Sequence, residues 1–201
     1  MKNAVRKTMI VIIGSVIAAV GINLAIHAGY GGATLAVLWD GVSKTAGITI
    51  GQASLLIAAA MLLISFLLDR RQIFFGTVIY QLVYSFAVDL FAPLIRFTGN
   101  RAADFLLMLL GIVIFSFGNA CYSWADFGRG SYEALTFSVS GRTGFSVRTV
   151  RMFLDILCVA GGALLGGSFG VCTAATILLS GPLLQAFLKL LRKHGAGLLS
   201  A

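Results

Sequence analysis

Long apolar runs, a scarcity of charge and a self-match at a fixed offset predict an all-α, polytopic helical membrane protein. Of the 201 residues, 59% are apolar and 11% charged, with a mean hydropathy of +0.97. Soluble domains average about 25% charged side chains. The chain is too apolar for disorder and lacks the two-residue alternation of an outer-membrane barrel. Pairing each residue with the one 97 positions on matches Gly14 with Gly111, Val16 with Val113, Ile17 with Ile114 and Gly21 with Gly118. The match continues without a gap through Ala28/Ala125, Gly31/Gly128, Leu38/Leu135, Val42/Val139, Ser43/Ser140 and Gly47/Gly144. Duplicated halves in an apolar chain are the build of secondary transporters.

Six segments reach the ~20 residues that a crossing needs: 8–28, 50–68, 73–95, 105–124, 147–165 and 169–191. The first follows Lys2, Arg6 and Lys7, as the core of a signal peptide would. It is too long for one and has no small-residue cleavage site after it, so it reads as a retained span. Between the first two spans lies 31–46, and between the fourth and fifth lies 128–143; the two coincide under the 97-residue shift. Each opens with glycines and is too short and polar to cross alone, holding Asp40 and Lys44 in one case and Arg129 and Glu133 in the other.

Each half is therefore span, short helix, span, span, and an odd number of crossings turns the second half over. The expectation is six transmembrane helices as two inverted three-span repeats, 1–98 and 99–201, each with a short re-entrant or interfacial helix. Charge supports it. With the N-terminus cytoplasmic, Lys2, Arg6, Lys7, Arg70, Arg71, Arg129, Arg142, Arg148, Arg151, Lys189, Arg192 and Lys193 fall inside, and Lys44, Arg96 and Arg101 outside. The turn Asp69-Arg70-Arg71-Gln72 is charged, whereas its repeat partner Gly166-Gly167-Ser168-Phe169 is not. Both termini are then expected in the cytoplasm. The net charge of +8 is thus topological, and no nucleic-acid partner is expected.

Non-spanning helices at membrane depth need protein or a polar cavity around them, because lipid satisfies no free backbone group. Re-entrant short helices would bring their N-termini, with free N–H groups and the positive end of the macrodipole, to a shared cavity near the midplane. The polar residues feeding them make a candidate solute site: Asn23, His27, Thr34, Asn119, Asp126, Ser131, Tyr132 and Glu133. Acids inside spans are functional candidates, which makes Asp89 and Asp155 candidates for ion coupling. Asp155 stands four residues after Arg151, where an ion pair is permitted; Asp89 has no basic residue at helical spacing except distant Arg96.

Enzyme signatures are missing. Gly128-Arg129-Gly130 follows an apolar helix, not a strand, so it is no dinucleotide fingerprint. His27 and His194 have no ligand spacing, and Cys121, Cys158 and Cys172 are odd in number with no metal-like spacing. Neither a metal nor a cofactor is expected.

The second half carries a resemblance. Phe127-Gly128-Arg129-Gly130-Ser131-Tyr132-Glu133-Ala134-Leu135 resembles the G-x-G-P-R-D-A-L box of the YczE/YyaS/YitT-type bacterial membrane proteins. Gly144-Phe145-Ser146-Val147-Arg148, Gly166-Gly167-Ser168-Phe169-Gly170-Val171-Cys172-Thr173 and Gly181-Pro182-Leu183-Leu184-Gln185 are similar to that family's later motifs, as are Gly47-Ile48-Thr49-Ile50-Gly51 and Gly76-Thr77 to its earlier ones. Ser131, Tyr132 and Glu133 replace the box's Pro, Arg and Asp, while Thr34 and Ala36 stand where the first half usually has Pro and Asp. The resemblance implies an integral membrane protein of a bacterial inner membrane, sometimes labelled transporter-like, and carries over no substrate. The functional expectation is a transporter or channel for a small polar solute in the bilayer, with small-residue spacings that permit a homodimer. The alternatives are a non-transporting scaffold or accessory subunit, or the substrate-binding subunit of a larger importer.

Overall fold

The computed structural model describes residues 2–70, 73–95 and 99–194, with the side chains of Lys2, Asn3 and Arg148 outside that description, as are Arg71, Gln72 and Arg96. Among the described residues there are eight α-helices and no strand: α1 (Lys2–His27), α2 (Thr34–Ala46), α3 (Ile50–Leu68), α4 (Phe75–Phe91), α5 (Arg101–Trp124), α6 (Ser131–Thr143), α7 (Val147–Leu164) and α8 (Val171–His194). Five of them (α1, α3, α4, α5 and α8) are long and apolar enough to cross a membrane. The sixth expected span falls on α7, whose 18 residues include Arg148, Arg151 and Asp155. The short helices start at Thr34 and Ser131 because the glycines before them take left-handed or extended conformations; Gly31 has φ 88° and Gly128 φ 145°.

Local chemistry repeats between the halves. Gly47 and Gly144 are left-handed C-caps ending α2 and α6. Ser43 Oγ donates to Ile48 O at 2.6 Å, and Ser140 Oγ donates to Phe145 O at 2.7 Å. Thr49 then caps α3 through Gln52 N, and Ser146 caps α7 through Thr149 N. Each pair of residues is related by the 97-residue shift.

The packing is built on α1 against α5. A Cβ on Gly14 would lie 2.9 Å from Gly118 O, and one on Gly111 would lie 2.7 Å from Gly21 O. Low-numbered residues of α1 thus meet high-numbered residues of α5: the helices run antiparallel, and only glycine lets the backbones come this close. α4 packs on α1 and α8 on α5, while α2 packs on α7 and α3 on α6. The last pairing brings Ser65 and Ser138 hydroxyls to 2.6 Å; at the repeat-related positions, Gly41 and Gly162 are in close backbone approach. Both short helices are held among the long ones, α2 burying Ala36, Val37, Trp39 and Gly41, and α6 burying Ser131, Tyr132, Ala134, Leu135, Thr136 and Ser138.

The two halves differ in one packing. α3 and α4 are tied by a Ser54–Ser85 hydroxyl pair at 2.8 Å and by Asp89, whose carboxylate accepts from Gly51 N at 2.7 Å and Thr49 Oγ1 at 2.5 Å. The residues equivalent to Gly51, Ser54, Ser85 and Asp89 in the second half are Arg148, Arg151, Pro182 and Ala186. No such tie can form, and α7 and α8 diverge from their turn without packing along their lengths.

Candidate functional site

A cavity of about 120 Å³ lies where the first turns of α2 and α6 meet α4, α5, α7 and α8. The loops before the short helices fix those turns. Cys172 N donates to Tyr30 O at 2.9 Å, Gly32 N to Ser168 O at 2.8 Å and Thr173 Oγ1 to Gly32 O at 2.6 Å, docking the first loop on the start of α8. Gly76 N donates to Phe127 O at 3.0 Å, docking the second loop on the start of α4. Neither short helix has a side-chain N-cap, since Ala33 and Gly130 occupy the cap positions. Their first-turn N–H groups therefore wait for another acceptor near the cavity.

α2 contributes Thr34, Leu35, Ala36 and Trp39, and α6 contributes Ser131, Tyr132 and Glu133, with Ala33 and Gly130 preceding them. The deep wall is α4 and α5. Tyr80, Gln81 and Tyr84 face Ser116, Asn119 and Tyr122, and all but Asn119 are buried. Tyr80 Oη donates to Asn119 Oδ1 at 2.7 Å, and its ring stacks on Tyr122 at 4.2 Å between centroids and on Tyr84 at 5.5 Å. Gln81 donates to Ser85 Oγ at 3.0 Å and accepts from Ser131 Oγ at 3.3 Å, joining α4 to the start of α6. The Tyr84 hydroxyl is buried without a partner among the described residues.

The opposite wall is Arg151 and Asp155 of α7 with Thr176, Ser180 and Leu184 of α8. Arg151 is exposed, and Asp155, Ser180 and Leu184 are partly exposed. Because α7 and α8 diverge, this is the side on which the cavity opens. The permitted Arg151–Asp155 pair does not form among the described residues. Tyr132 intervenes, donating to Asp155 Oδ1 at 2.8 Å and to Arg151 O at 3.1 Å, with the guanidinium 5.4 Å from its ring centroid.

Of the sequence-derived candidates, Thr34, Asn119, Ser131, Tyr132, Glu133 and Asp155 come together on this cavity, and Asn23, His27, Asp126 and Asp89 do not line it. Asn23 is buried and ties α1 to α4, donating to Val88 O at 2.9 Å and Ala19 O at 3.1 Å. His27 lines a separate recess with Gly32, Asp40 and Ser168, its Nδ1 3.0 Å from Asn23 O. Asp126 sits at φ 46° in the loop before α6, its carbonyl accepting from Lys7 Nζ at 3.3 Å. Asp89 serves as the α3–α4 tie. Tyr80, Gln81 and Tyr84 are cavity residues outside the candidate list; their signal is a polar and aromatic stripe at i,i+4 spacing along an otherwise apolar span.

The model of a family of unknown function, DUF6198, matches residues 5–189. The chain belongs to this family. Among relatives of this DUF6198 chain, the uncharacterized protein YyaS of Bacillus subtilis is 25% identical over 90% of the chain and 92% of its own length. YczE of the same organism, described as an uncharacterized membrane protein, is 28% identical over 86% and 80%. A third, an uncharacterized protein of Haemophilus influenzae, is 26% identical over 87% and 79%. The YczE/YyaS resemblance is thereby established, and with the apolar helices it makes this DUF6198 protein a multi-pass helical membrane protein. No solved structure matches it.

Proposed function

We propose that the protein is a membrane transporter or channel for a small polar solute held between the N-terminal turns of α2 and α6. One observation carries the reading: two uncapped helix starts, both reached through glycine-rich loops, wall a single cavity that sets a few polar groups among apolar ones in a membrane protein. Irregular backbone at membrane depth persists where it lines such a cavity. Thr34, Gln81, Asn119, Ser131, Tyr132, Glu133 and Asp155 would contact the solute.

The wider architecture in this reading is two inverted repeats, 1–98 and 99–201, with six crossings and two re-entrant helices. It is supported by the antiparallel crossing of the repeat-equivalent α1 and α5, where the Gly14–Gly118 and Gly21–Gly111 approaches exchange under the 97-residue shift. The charge bias favours an inner membrane with both termini cytoplasmic. The reading is of a carrier, not an enzyme.

The test is reconstitution of the chain alone into liposomes and flux measurement over a panel of small amines, amino acids and polyols. Saturable flux of at least one, reduced tenfold or more by Asn119→Leu in folded protein, is expected. Absence of flux across the panel from folded protein would favour the accessory-subunit reading.

A further inference from the structure

We propose that the solute presents an ammonium-type cation to the cavity, held by Glu133 beside the Tyr80 and Tyr122 hydroxyls; this rests on the cavity's being the solute site. Glu133 is in the first turn of α6, where its carboxylate folds back over Gly130 beside the Tyr122 hydroxyl. That carboxylate makes no hydrogen bond and no ion pair among the described residues. Asp155 receives one hydroxyl, from Tyr132, and Arg151 lies over the Tyr132 ring at the exposed edge. The lining therefore holds two carboxylates against one guanidinium that pairs with neither.

Arg129, four residues before Glu133, lies over the Phe137 ring instead of pairing with Glu133, and a carboxylate without an ion pair inside a membrane protein is costly. The start of α6 offsets about half an elementary charge, and a bound cation supplies the remainder. The aromatic wall fits the same ligand through its hydroxyl oxygens: Tyr80 Oη donates to Asn119 Oδ1 and keeps lone pairs that accept from an N–H. A second observation points to a ligand: Tyr84 is 2% exposed, lines the cavity and leaves its hydroxyl unpartnered, so it can accept from an N–H. The space of about 120 Å³ is several times the roughly 10–15 Å³ that admits one water on the same measure, which is room for a small amine. The ammonium could belong to a simple amine or to a zwitterion whose anionic end meets Arg151 and the start of α2.

Trp39 lines the cavity, so its fluorescence in a Trp124→Phe background of the full chain reports occupancy. Methylammonium, tetramethylammonium, glycine, acetate, glycerol and sodium are titrated at constant ionic strength, alongside Glu133→Gln and Glu133→Asp. Saturable binding of the ammonium probes is expected, weakened about tenfold or more in Glu133→Gln, the loss of a charge-assisted bond, and less in Glu133→Asp. Tighter binding of glycine than of methylammonium would assign the zwitterion. Equal ammonium binding in Glu133→Gln overturns the proposal, as does a response to acetate, glycerol or sodium in place of ammonium; in the acetate or glycerol case the cavity remains a solute site. Silence to every probe from folded protein overturns it too, while flux of a non-amine in liposomes would show that the transport reading survives. Should Glu133→Gln not fold, Asp155→Asn in the same titration separates the two carboxylates: a loss as large as binding itself would place the cation at Asp155 and overturn the assignment to Glu133.

Discussion

Tyr132 donates its hydroxyl to Asp155 Oδ1 at 2.8 Å, joining α6 to α7 on the cavity wall. The Arg151 guanidinium lies over the Tyr132 ring at 5.4 Å and makes no pair with Asp155 among the described residues, so a bond between helices takes the place of the pair within one helix. Tyr132→Phe leaves a partly buried carboxylate without its donor and is expected to cost about 1–2 kcal/mol, roughly 2–8 °C in Tm for a chain of this size. Asp155→Asn keeps an acceptor oxygen and should cost less. Thermal unfolding of detergent-purified protein checks the order; a larger loss in Asp155→Asn would mean that charge, not the hydroxyl bond, holds the helices.

Gly118→Ala tests the crossing on which the halves are assembled. Its Cβ would lie 2.7 Å from Gly14 O, and neither helix backbone can yield without moving the other half. A cost of about 1–3 kcal/mol from overpacking is expected. Gly141→Ala is the control, since Gly141 lies inside α6 with open space around it, and alanine there should be neutral or stabilise by up to ~1 kcal/mol. Melting temperatures that rank the two the other way would contradict the close α1–α5 approach.

What the sequence made legible is what is local or duplicated. The Ser43–Ile48 and Ser140–Phe145 bonds and the Gly47 and Gly144 caps lie within a few residues of each other, so glycine chemistry and the repeat together predict both short helices. Asp89 is different. As an acid in a span with no basic neighbour it reads as a coupling ion site, but its partner Thr49 is 40 residues away, where periodicity says nothing. Asn23 is hidden for the same reason, its partner Val88 lying on another helix. The Tyr80–Gln81–Tyr84 face is readable as a stripe, yet only packing decides whether a stripe faces a cavity or a neighbouring helix.

The proposed inversion of the halves predicts opposite sidedness for equivalent turns. In a background with Cys121, Cys158 and Cys172 replaced, Arg70→Cys should react with an impermeant maleimide only after the membrane is opened. Phe169→Cys, in an exposed position of the equivalent turn, should react in intact cells. Labelling of both from the same side would require parallel repeats and an even number of crossings per half.

Asp40 anchors α2 to the turn between α7 and α8. Its Oδ2 accepts from Lys44 Nζ and Ser168 N, each at 2.7 Å, while Lys44 also reaches Gly166 O at 3.0 Å. Partial burial pushes the carboxyl up, but the bonds to Lys44 and Ser168 outweigh it and hold the pKa below its ordinary 3.8. A folded-state pKa below the unfolded value means stability that is complete above about pH 4 and lost as the pH falls through the folded value. Melting temperatures of wild type and Asp40→Asn should therefore differ at neutral pH and converge in acid below pH 4; a gap independent of pH would remove the carboxylate from the account.

The unequal packing of α3–α4 and α7–α8 identifies which side of the cavity can move. Ser54 and Ser85 hydroxyls are 2.8 Å apart, so Ser54→Cys with Ser85→Cys in the cysteine-replaced background should oxidise to a disulfide regardless of solute, since Asp89 also ties that pair of helices together. Arg151→Cys with Pro182→Cys occupies the repeat-equivalent positions, where α7 and α8 are apart. A carrier that occludes its solute by closing this side would bring the second pair together only when solute is bound. Cross-linking that is fast in the first pair and solute-dependent in the second is the expected result, read as a mobility shift under non-reducing conditions. Equally fast cross-linking of the second pair without solute would show that α7 and α8 meet at rest, and the cavity would then need another way out.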